Sequence, residues 1–252
     1  MIPITVITVT YNCADLVERT IKSVLEQKRY GGEIEYVVID GGSTDGTIEA
    51  INKHKTQIDY FRSEPDHGIY DAMNKGIKAA TGKWLLFLNA GDEFHPDFKI
   101  SKLSFNWPRE AEFIAFPFLI DGESNVSTPV FPARSGLPSS HQATLISAQV
   151  AKENLFKLEY QVAADFEVYM HRLCCNPNCV YIEQDVITCV QPGGFSLANV
   201  DLLHREYIKI IFRHDGLVAA LVWYVRSKPE LLRLVKFLTP TRLFNLLRSK
   251  FA

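Results

Sequence analysis

Apolar and polar positions follow two alternating periods along the first ninety residues. Ile4-Thr5-Val6-Ile7-Thr8-Val9-Thr10 is β-branched and predicts a strand in the middle of a sheet. Leu16/Val17, Thr20/Ile21 and Val24/Leu25 then recur every four residues, one stripe along a helix that Gly31-Gly32 brings to an end. Glu35–Asp40 predicts a second strand and Ile58 to Phe61 a short third. Ile69, Met73, Ile77 and Ala80 form the stripe of a helix ended by Gly82, which leaves Asp71, Asn74 and Lys75 facing solvent or a site. Trp84-Leu85-Leu86-Phe87-Leu88 has no polar interruption, as expected of a strand buried on both faces. Such alternation predicts an α/β fold, a mostly parallel Rossmann-like sheet flanked by helices with right-handed crossovers.

The second half is less regular. Phe113 to Ile120 reads as one strand at an edge or bulge, because Pro117 cannot donate to a ladder. Residues 121–138, rich in Gly, Ser and Pro, read as a mobile loop. A helix opens at 163–170 with Phe166, Tyr169, Met170 and Leu173 inward, and Val180 to Val190 returns to strand character. Gln191-Pro192-Gly193-Gly194-Phe195-Ser196 is a turn that serves as a lid hinge or an ordinary loop. Beyond 200 the chain is helical, with apolar stripes through Leu231, Leu232, Val235 and Leu238, and again through Leu243, Leu246 and Leu247 after Pro240.

Charge sharpens that last reading. The whole chain carries a net charge of -2, which gives no reason to expect a nucleic-acid partner, yet residues 201–252 hold 10 Lys/Arg against 4 Asp/Glu. A basic amphipathic extension packs on the domain, on a second subunit of a homodimer, or on an anionic membrane through 228–252. Apolar runs are too short to span a bilayer, and the longest candidate stops at Gly216 to Val225. The five cysteines, Cys13, Cys174, Cys175, Cys179 and Cys189, lack a second ligand pair at zinc spacing. With no secretory signal at the start, an odd count predicts a reducing, cytoplasmic setting and buried or unreactive thiols.

Candidate chemistry collects where strands end. Ligands of open α/β sheets sit beyond the carboxyl ends of the strands, and three polar clusters stand there: Tyr11-Asn12, Asp40-Gly41-Gly42-Ser43-Thr44-Asp45-Gly46-Thr47, and Asn89-Ala90-Gly91-Asp92. The glycines permit close approach, and Ser43, Thr44 or Asp45 can cap the next helix. Asp92 is placed to hold a hard cation such as Mg²⁺ or Mn²⁺, although a plain Asx/Gly turn also explains that stretch. Spacing of the G-x-G-x-x-G type is missing, which argues against a dinucleotide fold.

Those three motifs in order, with Ser63-Glu64-Pro65-Asp66-His67-Gly68-Ile69-Tyr70-Asp71-Ala72-Met73-Asn74-Lys75-Gly76 between them, resemble family-2 glycosyltransferases of the GT-A fold. The intervening stretch is similar to the branch that builds bacterial surface polysaccharides, and the resemblance covers about residues 3–198. It implies a nucleotide-sugar donor, usually a UDP-sugar. Residues 1–110 would form the nucleotide-sugar half, 111–200 the acceptor half and 201–252 the extension. Thr10, Tyr11 and Asn12 would line the base pocket, Asp40 would bond the base, and Ser43 would lie near the nucleotide. Asn74 and Lys75 would border the donor together with Asn89, and His141, in His141-Gln142, would lie near sugar or diphosphate. Asp92 matches the last carboxylate of the family's Asp-x-Asp metal motif, while Asn89 and Gly91 replace further aspartates and weaken the expected site for Mn²⁺ or Mg²⁺.

Asp165 resembles the family's catalytic base, with Glu167 as the fallback, although a carboxylate in a first helical turn also suits the helix dipole. The implied reaction is inverting transfer to a saccharide hydroxyl, on an acceptor carried by a polyprenyl diphosphate lipid at the inner face of the membrane. Two other classes are weighed beside it. A nucleotidyltransferase would need a Gly-rich, basic first loop, which Thr10-Tyr11-Asn12-Cys13 is not. A non-catalytic nucleotide-sugar scaffold would not need Asp92 and Asp165.

Overall fold

The computed structural model describes residues 3–130, 134, 136–194 and 198–227. The β-branched run becomes β1 (Ile4–Thr10), buried along its whole length. It lies between β2 (Ile34–Asp40) and β4 (Trp84–Phe87) and runs parallel to both, with β3 (Tyr60–Ser63) beside β2 at the edge. Beyond β4 come β9 (Thr144–Ser147), β6 (Phe113–Ala115) and β10 (Val180–Ile182), giving the order β10-β6-β9-β4-β1-β2-β3. Only β9 opposes its neighbours.

Period-two burial divides the core into two layers. Val6, Tyr36, Val38, Trp84 and Leu86 face α1 (Ala14–Arg29) and α2 (Thr47–Asn52). Ile7, Val9, Val37, Ile39, Leu85 and Phe87 face α3 (Ile69–Ala79), α4 (Ala148–Glu153), α5 (Ala164–Cys175) and α6 (Val200–Ser227). Each fully buried aliphatic side chain contributes about 1.5–3 kcal/mol, so both faces hold the sheet in register. The close seat of α3 depends on Gly76, where a Cβ would lie 2.5 Å from Ile7 Cγ2.

Several expectations are corrected. Phe113 to Ile120 is not one edge strand. β6 sits inside the large sheet, and after Pro117 the chain enters a second sheet as β7 (Phe118–Ile120). Pro117 supplies its carbonyl to the Ile187 N–H at 3.0 Å, which suits a residue with no N–H of its own. The 180–190 segment splits likewise into β10 and β11 (Thr188–Val190), and the small sheet is completed by β5 (Glu93–Phe94) and β8 (Val126–Ser127) in the order β5-β11-β7-β8. Thus 121–138 is not wholly loop. Helix α3 ends before Gly82, whose close approach to Thr5 is its real constraint. α2 starts after Gly46 in a left-handed conformation, with Asp45 accepting the Thr47 N–H at 3.1 Å.

All five cysteines are free; Cys174 and Cys175 are exposed, against expectation, while burial pushes the Cys179 thiol up to about 12. α6 is interrupted at Gly216, whose φ of 84° and ψ of -179° leave the helical region. Among the described residues no helix is long and apolar enough to cross a membrane. The predicted basic segment 228–252 lies outside the described residues, as do Phe195 and Ser196 of the expected lid.

Candidate active site

The ends of β1 and β2 are tied into one loop platform. Asp40, with no exposed surface, accepts the Gly42 and Ser43 N–H groups at 3.0 and 2.9 Å and the Ser63 hydroxyl at 2.7 Å. Its other oxygen accepts the Ser43 hydroxyl. The Asn12 N–H donates to Ser43 Oγ at 2.8 Å, and the Thr44 N–H donates to Asn12 Oδ1 at 3.0 Å. Asn12 needs this support because its φ is 48°, rare for a residue with a Cβ. Asp40 therefore organises the loop and ties it to Ser63 at the end of β3. Thr10 is buried and passes its carbonyl to the Gly41 N–H. Tyr11 is 61% exposed, an open ring beside the platform. Gly41 is covered by Tyr11 and Asp66: a Cβ there would lie 2.5 Å from Asp66 Oδ2.

Two predicted donor-side residues are placed differently. Asn74 is buried, and its amide clamps the Phe156 backbone, donating to the carbonyl at 2.8 Å and accepting the N–H at 2.9 Å. Lys75 binds the Pro65 carbonyl at 3.1 Å and pairs with Glu64 and Asp71, so its charge fastens the 63–68 loop to α3.

The end of β4 turns under α1. Thr20 Oγ1 donates to the Asp92 carbonyl at 2.8 Å, lies 3.2 Å from the Asn89 carbonyl and accepts the Gly91 N–H at 2.9 Å. Gly91, with φ 101°, is the residue this turn requires. Asp92 is 3% exposed and accepts the Gln191 N–H at 2.9 Å and a bond from the Gln142 side chain. Burial outweighs these bonds and pushes its carboxyl up to about 6.

The short helical turn His141–Ala143 joins Asp92 to the second carboxylate. Gln142 meets Asp92, while His141 Nδ1 lies 3.4 Å from Asp165 Oδ2. The His141 ring packs on Phe87 and Phe156, with centroids 4.7 and 5.9 Å away. Asp165 Oδ1 accepts the Tyr70 hydroxyl at 3.0 Å and the Phe166 N–H at 2.8 Å. Burial, then the Asp165 charge, raises the Tyr70 hydroxyl well above its usual range and keeps it a donor. Glu167 points elsewhere, paired with Lys157 and 3.7 Å from His214, so the fallback base is not in this cluster. A cavity of about 30 Å³, roughly the volume of one water, adjoins Asp165 and His141.

A metal fits this edge with few protein ligands. Asn89 Oδ1, Gln191 Oε1 and His141 Nε2 are buried without hydrogen-bond partners among the described residues, and two of them are oxygens in segments that touch Asp92. Hard cations favour such oxygens. Among the described residues no group of three or more His, Cys, Asp or Glu side chains is arranged around a metal position. Asp92, with Asn89 and Gln191, would hold the ion only if substrate oxygens and water completed its shell.

Thr20 and Tyr70 contact Asp92 and Asp165 without having been singled out by pattern, and Gln142 and Gln191, which stood in quoted motifs, prove to be the bonding partners of Asp92. Thr20 carried one signal, a polar residue inside an apolar stripe. A wider surface cavity of about 360 Å³ between α1 and α2 contains none of the predicted site residues; its Glu18 bridges Lys22 and Lys53.

Comparison with known proteins shows the family and the fold. The family model described as Glycosyl transferase family 2 matches residues 5–134. An uncharacterized glycosyltransferase of Mycobacterium tuberculosis is 38% identical over 224 residues, covering 81% of this chain and 85% of its own. A PGL/p-HBAD biosynthesis glycosyltransferase of Mycobacterium bovis is 28% identical, covering 79% and 80%. Among solved structures, S. aureus TarS 1-349 in complex with UDP-GlcNAc superposes with a TM-score of 0.66 at 18% identity, covering 97% of this chain and 75% of that one. The mannosyltransferase PcManGT from Pyrobaculum calidifontis, in complex with GDP-Man and Mn²⁺, gives 0.67 at 17%, covering 98% and 79%. The fold is that of the GT-A glycosyltransferases.

Proposed function

The chain belongs to glycosyl transferase family 2, and on that premise we propose that this glycosyltransferase moves a sugar from a UDP-sugar to a saccharide hydroxyl with inversion at the anomeric carbon. The observation that carries the reading is the His141–Ala143 turn, which joins the desolvated Asp92, through Gln142, to Asp165, whose Oδ2 meets only the His141 ring at 3.4 Å among the described residues. Tyr11 offers an exposed ring for the base, and the Asp40–Ser43 platform keeps that surface rigid. A bound Mn²⁺ or Mg²⁺ would neutralise charge on the departing diphosphate.

Asp165 takes the proton from the acceptor hydroxyl through Oδ2, while Tyr70 and the Phe166 N–H hold Oδ1. The acceptor oxygen bonds to the anomeric carbon as the bond to the diphosphate oxygen breaks, and the nucleoside diphosphate leaves with the electron pair. One in-line displacement inverts the centre. A saccharide on a lipid diphosphate is the acceptor that suits α6, where Phe212, Leu217, Val218 and Leu221 are exposed ahead of a basic sequence. The Mycobacterium bovis relative is named for PGL/p-HBAD biosynthesis, which supports a biosynthetic role.

The test is a melting-curve panel of nucleoside diphosphates with and without Mn²⁺, together with Asp165→Asn. UDP should stabilise selectively and more strongly with metal; at 100 times its Kd a ligand adds about 2.7 kcal/mol. Asp165→Asn should lower transfer by about 10²–10⁴ and leave the UDP shift in place. Equal response to every nucleotide, or wild-type transfer by the variant, would refute the assignment.

A further inference from the structure

We infer that Glu206, on the C-terminal helix α6, is a positioning residue for Asp165. The inference rests on the reading of Asp165 as the base. Helix α5, which carries Asp165, has no side-chain cap of its own: its N-cap residue is Ala163. The turn that leads into the helix is held instead: Glu206, 43 residues or more away, accepts the Gln161 N–H at 2.8 Å and the Val162 and Ala163 N–H groups at 3.0 Å each, so it fixes the N-cap residue and the two before it. Its carboxylate is 7% exposed, a burial tolerated only because donors surround it.

The neighbouring residue grips the other side of the base. Tyr207 stacks on Phe166, with ring centroids 4.1 Å apart, and burial raises its hydroxyl, with Asp165 adding to the effect. Residues 163 and 166, on either side of Asp165, are therefore both held by α6. One turn further on, Lys209 and Arg213 pair with Glu159 at 2.7 and 3.2 Å, so the whole approach to α5 is latched. Three N–H donors converge on one carboxylate. A glutamine amide would turn an N–H donor towards them and could not accept all three, so the charge and both oxygens matter. With the start of α5 fixed, Asp165 Oδ1 stays on Tyr70 and Oδ2 stays beside the His141 ring.

The test uses the full chain with four substitutions, Glu206→Gln, Glu206→Ala, Ile210→Ala and Asp165→Asn. Ile210 is buried on the same helix but bonds nothing in 161–163, so its truncation loosens the docking of α6 without removing the latch. Amide exchange of peptides over 161–167 should rise at least about tenfold in both Glu206 variants, relative to peptides over 40–47, and stay near wild type in Ile210→Ala. UDP release from a panel of UDP-hexoses and UDP-N-acetylhexosamines, with water as acceptor, is then measured per UDP-binding molecule below each melting point. Release should fall about tenfold in Glu206→Gln at an unchanged donor KM, and Ile210→Ala should keep it within about twofold. Unchanged exchange at 161–167, equal losses in Ile210→Ala, or loosened exchange with full turnover would each overturn the inference. Wild-type turnover in Asp165→Asn would instead overturn the assignment of the base.

Discussion

The β1/β2 platform and the Asp92–His141–Asp165 edge are both polar, both at the carboxyl ends of strands, and built on opposite principles. Asp40 is as buried as a carboxylate can be, yet four donors meet it. Asp92 is nearly as buried and has fewer donors, and its carboxyl is pushed up to about 6. Around it stand buried acceptors without hydrogen-bond partners among the described residues, Asn89 Oδ1 and Gln191 Oε1. One region is finished by folding. The other keeps buried acceptors unpaired among the described residues, and on the proposed reading a cation and a diphosphate would complete it.

That contrast breaks most sharply at Asp40. Asp40→Asn removes charge from a site that folding has satisfied and turns an amide N–H towards other donors. The expected loss is about 3 kcal/mol, from charge-assisted bonds of about 1.5–3 kcal/mol each less what the amide oxygen recovers. For a chain of 252 residues this lowers the melting temperature by roughly 6–12 °C. A fall of only a degree would mean that the platform does not depend on the carboxylate.

Asp92→Asn should act in the opposite direction. The folded protein holds the Asp92 proton more tightly than the unfolded chain, about 6 against 3.8. The associated stability is present below about pH 4 and is lost as pH rises through about 6, by at most about 3 kcal/mol. In EDTA at pH 7.5 the variant should therefore melt higher than wild type by an amount equivalent to about 1–3 kcal/mol, and the gain should vanish at pH 4. With Mn²⁺ and UDP the order should reverse, because only wild type gains from the ion. Equal melting in EDTA at both pH values would show that Asp92 is not held against its own desolvation.

The two regions also differ in how far sequence discloses them. The platform is local: Asp40, Gly42 and Ser43 bond within a few residues, and a buried strand followed by Asp-Gly-Gly-Ser states the turn directly. β1, β2 and β4 are equally plain, since burial on both faces leaves unbroken apolar runs. Hydrophobic period tells which way a residue faces and says nothing of what it meets. Lying off its helix's apolar stripe, Asn74 was expected to face solvent or a site, whereas it is buried on Phe156, 82 residues away. Pro117 marked a disturbed strand, whereas the passage from one sheet to another depends on pairing with β9, β10 and β11. Glu206 was one charge among many in a basic extension until its three N–H partners came into view.

Thr20 joins the two kinds of construction, and its substitution is the finest test of the difference. Its hydroxyl belongs to a satisfied network, yet that network positions the unsatisfied Asp92 by holding the Gly91 N–H and the Asp92 carbonyl. Thr20→Val keeps the shape and the burial and removes both bonds, for a loss of about 1–2 kcal/mol. Global melting should drop by about 2–8 °C, while the Mn²⁺ concentration needed for half-maximal UDP stabilisation should rise several-fold. Thr20→Ser, which keeps the hydroxyl, should restore the Mn²⁺ response even though it loses a buried methyl. If the valine variant melts lower and responds to Mn²⁺ as wild type does, the turn at Asn89–Asp92 is set by Gly91 and its neighbours, and Thr20 is only part of the α1 core. If the metal response moves and serine restores it, the incomplete edge owes its geometry to a finished one beneath it.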